Sequence, residues 1–107
     1  MAWLILVVAG LLEVVWAYFM KQSHGFTRLS PTIFTFLAMF ASFGLLAVAM
    51  KSLPLSTSYT VWTGIGAVGA FLVGVTMLGE QLTPLRVLAA AMIVAGLALM
   101  KLTSSEA

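Results

Sequence analysis

Residues 2–20 read AWLILVVAGLLEVVWAYFM, an apolar run broken only by Glu13. As a helix rising 1.5 Å per residue, a run of this length reaches roughly 28 Å, close to the ~30 Å hydrocarbon core of a bilayer. Glu13 then sits roughly 16 Å in, near the middle of the membrane. No basic segment precedes the run and Glu13 interrupts it, so it reads as a retained span rather than a signal peptide. The whole chain agrees with this reading. Of 107 residues, 63% are hydrophobic and 7% are charged. A soluble domain carries about 25% charged residues and needs them to cover its surface.

Three further apolar segments follow. With the first, they run Ala2–Met20, Thr32–Met50, Leu55–Leu78 and Leu85–Leu102. Each is long enough to cross the membrane as a helix, and nothing between them reads as a strand. The chain is therefore predicted to be a single all-α domain of four transmembrane helices over residues 1–107. The connections KQSHGFTRLSP, KSLP and GEQLTP end in Pro31, Pro54 and Pro84. Proline is tolerated in a first helical turn, so these three prolines are read as helix starts. The tail TSSEA is short and polar and is expected to fray.

Such short connections make neighbouring helices alternate in direction. Lys51 and Lys101 fall on one side of the membrane; Lys21, Arg28 and Arg86 fall on the other. Orientation follows the Lys/Arg bias of short loops, and a bias of two against three is close to no instruction. The chain is predicted to insert both ways round. Four helices alone cannot form an inverted repeat, whereas transporters commonly use two inverted units around a midplane site. A second, upside-down copy would supply the missing unit, giving an antiparallel homodimer.

Several function classes drop out. A net charge of +2 spread over five basic residues makes no nucleic-acid patch. With no cysteine there is no disulfide and no thiolate metal site. His24 has no acidic neighbours, no nucleotide loop or nucleophile set is present, and neither an enzyme nor a cofactor is expected. Glu80 and Arg86 flank Pro84 and read as a local surface pair.

What remains is Glu13, the only Asp, Glu, Lys or Arg in the interior of any span. A bare carboxylate at mid-bilayer costs a few kcal/mol or more. Two states avoid the cost: a protonated acid, or an acid paired with a cation arriving from outside. Alternation between the two is proton/cation exchange. Ala9 and Gly10 lie one turn before Glu13 and leave room beside it; Trp16 and Ala17 lie one turn after. Trp16 can wall a site or sit in the interfacial aromatic belt.

In the third span, Tyr59, Trp62, Thr63 and Gly66 share one face. Aromatic rings beside a carboxylate make a cation site, and the Tyr59 and Trp62 donors can hold the acid between transport events. Belt residues would have the same spacing. Ser42, the mid-span polar residue of the second helix, can donate to Glu13 or to its own helix backbone. Gly66, Ala70 and Gly74 let helices approach closely, and Gly64 with Gly66 can serve either packing or a bend. The fourth span has no acid and no aromatic residue. Its Ala91, Ala95 and Gly96 suit the dimer contact, and Lys101 is expected to snorkel to the surface.

The segments AGLLEVVWA (9–17), HGFTR (24–28) and YTVWTGIGA (59–67) resemble the small multidrug resistance family over essentially the whole chain. Trp16 after the acid and VAMKSLP (48–54) are most similar to its guanidinium-exporting subtype. The resemblance implies a multi-pass protein of the cell membrane, forming an antiparallel, dual-topology homodimer that exchanges protons for guanidinium. It implies that Glu13 of both subunits binds proton and substrate. It further implies that Trp16, Ser42, Tyr59 and Trp62 line the pocket and hydrogen-bond the acid. Two other readings compete: an exporter of quaternary ammonium cations, and a non-transporting accessory membrane subunit.

Overall fold

The computed structural model describes residues 1–103. Four helices make up its regular structure: α1 (Ala2–Gln22), α2 (Leu29–Ala49), α3 (Leu55–Met77) and α4 (Pro84–Thr103). All four are long and apolar enough to cross a membrane. Most of the tail expected to fray, residues 104–107, lies outside the described residues.

The prolines sit in or beside first turns, with one correction. Pro54 caps α3 and Pro84 opens α4, but α2 begins at Leu29, two residues before Pro31. The first-turn amides of a helix have no intrahelical partner, so Pro31 fits at the third position as well as at the first. The α1–α2 loop is held by Ser23, which is fully buried. Its Oγ donates to the Met20 carbonyl (2.6 Å) and accepts the Phe26 N–H (3.0 Å). That grip keeps three successive residues left-handed: His24 (φ 49°), Gly25 (φ 72°) and Phe26 (φ 67°). The two non-glycine members each cost on the order of 1–3 kcal/mol, sustained by the surrounding hydrogen bonds.

α1 is central, packing on α2 and on α3, while α4 packs on α3. The result is a flat slab of 43 × 34 × 16 Å. Its buried apolar residues are Leu6 and Ala9 of α1, Leu46 and Ala49 of α2, Leu53, and Val61 and Trp62 of α3. All of them belong to the half of the bundle nearer the N-terminus and the Lys51 loop. α4 contributes no buried residue at all.

α3 is one continuous helix through Gly64 and Gly66. These glycines serve close packing: a methyl group at Gly64 would strike the Leu97 side chain of α4. Lys101 Nζ lies 4.5 Å from the centre of the Trp3 ring, tying the end of α4 to the start of α1. Glu80 and Arg86 do not meet as the surface pair read from the sequence. The Arg86 guanidinium instead lies over the Phe71 ring at 5.9 Å, and the Glu80 carboxylate folds over Gly74.

Candidate functional site

Glu13 projects from mid-α1 onto the backbone of α3. A methyl group at Gly66 would overlap Glu13 Oε1, so only glycine lets the carboxylate rest there. Gly66 is itself buried beneath it. Among the described residues, nothing hydrogen-bonds the buried Glu13 Oε1, and nothing meets the indole N–H of Trp16 one turn later. A buried acceptor and a buried donor are thus held a helical turn apart, neither satisfied by its own chain.

Beside the acid runs a row of rings. Trp16 meets Phe43 edge-on (centroids 6.3 Å apart, planes at 73°). Phe43 then meets Trp62 at 5.7 Å, and Trp62 meets Tyr59 at 5.7 Å. The row passes from α1 through α2 to α3, so three helices contribute to one aromatic wall. Tyr59, at its outer end, is 53% exposed.

The hydrogen bonds differ from those the family resemblance implies. Ser42, fully buried, donates from Oγ to the Ala9 carbonyl (2.7 Å) and accepts the Trp62 indole N–H (3.0 Å). Neither Ser42 nor Trp62 bonds the acid in this arrangement. The physical reason is distance along α1: Ala9 lies a full turn before Glu13, and its carbonyl lies within reach of the buried Ser42 hydroxyl. In a regular helix that carbonyl also accepts the Glu13 N–H. The Ser42–Trp62 pair therefore grips the turn that carries the acid, and touches the acid only through it.

Two contributors were not assigned to the site from the sequence. Gly66 read as a packing residue and is the surface on which the carboxylate rests. Phe43 went unnoticed because α2 is crowded with phenylalanines. Its position directly after Ser42 was the available signal. No three His, Cys, Asp or Glu side chains group as metal ligands among the described residues.

Fold and site together define a small multi-pass membrane protein built around one intramembrane acid. The chain belongs to the small multidrug resistance family: the sequence model described as Small Multidrug Resistance protein matches residues 1–93. It is 56% identical over 104 residues to the guanidinium exporter of Escherichia coli K12, covering 97% of this chain and 99% of that protein. It is 58% identical over 104 residues to the guanidinium exporter of Yersinia pestis, covering 97% and 100%. Against the guanidinium exporter of Citrobacter freundii the identity is 53% over 104 residues, covering 97% and 99%. Family and spans make it a multi-pass protein of the cell membrane.

Proposed function

We propose that this protein exports guanidinium in exchange for protons, as an antiparallel, dual-topology homodimer. The observation that carries the reading is the Glu13 carboxylate, seated on Gly66 at mid-span with an oxygen that no described residue satisfies. The relatives' identity as guanidinium exporters selects the cation. Guanidinium is planar and forked, and meets a carboxylate through two parallel hydrogen bonds. Protonation offers the acid its other low-cost state, so proton and cation compete for one group.

Glu13 binds both ions in turn. Trp16, Ser42, Tyr59 and Trp62 form the pocket, Trp16 limiting its size and Ser42 with Trp62 fixing the turn beneath the acid. The homodimer reading is supported by α4. Nothing of α1, α2 or α3 lies within 4 Å of where a side chain at Gly96 would begin, and no α4 residue is buried in one copy. A small-residue helix surface left bare in a membrane suits close packing with another helix.

The test is flux in liposomes reconstituted with this chain alone. An imposed pH gradient should drive guanidinium uphill, and Glu13→Gln should abolish the movement. Guanidinium flux that survives Glu13→Gln sinks the mechanism. Preference for a bulky quaternary ammonium ion would replace guanidinium as substrate, and no flux of either would favour an accessory role.

A further inference from the structure

The apolar core closes only one half of the bundle. Beyond Glu13, toward the Lys21 end, α1 and α3 part into a cleft of about 180 Å³. Val14, Ala17, Tyr18 and Lys21 line it from α1, Ala70 lines it from α3, and Glu80 stands at its mouth. Its inner end is Val14, whose side chain packs onto Gly69 of α3 and stands between the cleft and Glu13.

Glu80 is placed there by the end of α3. Gly79 turns the chain at φ 69°, a conformation that suits glycine. The Glu80 N–H then folds back onto the Gly74 carbonyl (2.9 Å). This lays the carboxylate over Gly74, where a methyl group would overlap Oε1. Glu13 and Glu80, the two acids among the described residues, thus rest on the same helix at Gly66 and Gly74. Eight residues of helix separate those glycines by roughly 12 Å. One acid is at mid-membrane and the other is exposed at the end of the span.

We propose that this cleft is a loading site for small organic cations, in which Glu80 receives the cation from water ahead of its transfer to Glu13. The inference rests on the cation-export reading above and assigns the class of ligand of a second site. The chemistry fits a station rather than a trap. Glu80 is exposed, so its ion pairs are weak and screened by salt. Lys21 shares the cleft and keeps its net charge near zero, which makes the stop shallow. The Tyr18 ring adds an aromatic face for a passing cation.

The experiment compares guanidinium flux in liposomes for wild type, Glu80→Gln and Glu80→Asp at low and high ionic strength. Acidic residues contribute little to membrane orientation, so these changes leave insertion alone. Glu80→Gln should raise KM about threefold to fivefold at low salt and flatten its salt dependence, the expected effect of losing one exposed charge interaction. The loss should fall on KM rather than on maximal rate, with Glu80→Asp intermediate. Equal KM and equal salt dependence in wild type and Glu80→Gln overturn the proposal. Should that variant not reconstitute, an aspartate variant with wild-type KM overturns it as well. Absence of guanidinium flux in the wild type strikes the export reading instead; wild-type flux indifferent to Glu80 strikes only the loading site.

Discussion

Glu13 of α1 lies directly on Gly66 of α3, with no room for even a methyl group between them. The placement predicts the outcome of Gly66→Ala. The added methyl displaces the carboxylate, while an α3 with alanine remains a good helix. Displacement by about 1 Å is enough to cost a positioned group tenfold or more in rate. Guanidinium flux should therefore fall by at least that factor while the protein still purifies as a folded, helical species. A variant with wild-type flux would show that the carboxylate need not rest there.

Ser42 joins three helices, and its removal should be felt in stability as well as in transport. Ser42→Ala leaves the buried Trp62 N–H without an acceptor, at about 1–3 kcal/mol. Thermal unfolding in detergent should show the loss. Trp62→Phe should cost less once Ser42 is already alanine, because the bond the two share is gone. A double-mutant cycle with no coupling would contradict the bond.

On the proposed function, Trp16, its ring braced edge-on against Phe43, limits the size of the cation beside the acid. Trp16→Gly should admit larger hydrophobic cations, read as new flux of a quaternary ammonium ion in the liposome assay. Phe43→Ala should act in the same direction, because it removes the ring against which Trp16 rests. An unchanged substrate range in both variants would detach size selection from this wall.

Dual insertion has its own measurement. Single cysteines in the α1–α2 loop, labelled from one side of intact cells, should divide into a reactive and a protected population. Two added lysines in that loop should lock one orientation and impair transport. Labelling that is all or none in the starting protein contradicts the antiparallel reading.

The four spans were legible because membrane insertion depends on summed hydropathy, which a sequence states outright. Glu13 was legible for the same reason, as the one charge that summed hydropathy cannot hide. The partners of Ser42 were not. Helical spacing says which residues share a face, and for Ser42 it offers Glu13 or the backbone of its own helix. The answer, the Ala9 carbonyl, lies on a different helix and is a backbone atom of an unremarkable residue. Gly66 shows the same limit: its type announced closeness, and only the facing helix could say to what. The start of α2 slipped to Leu29 because proline marks a first turn and not a first residue.

A bundle clasped by Leu6, Ala9, Leu46 and Trp62 at one end and parted at the other unravels from the parted end. Local opening follows local burial. Within α1 and α3, backbone amides of residues 6–9 and 61–62 should exchange with deuterium later than those of residues 17–21 and 73–77. The same gradient places proteolytic nicking and tolerated peptide insertions at Gln81 and Leu82, beyond the loosened end of α3.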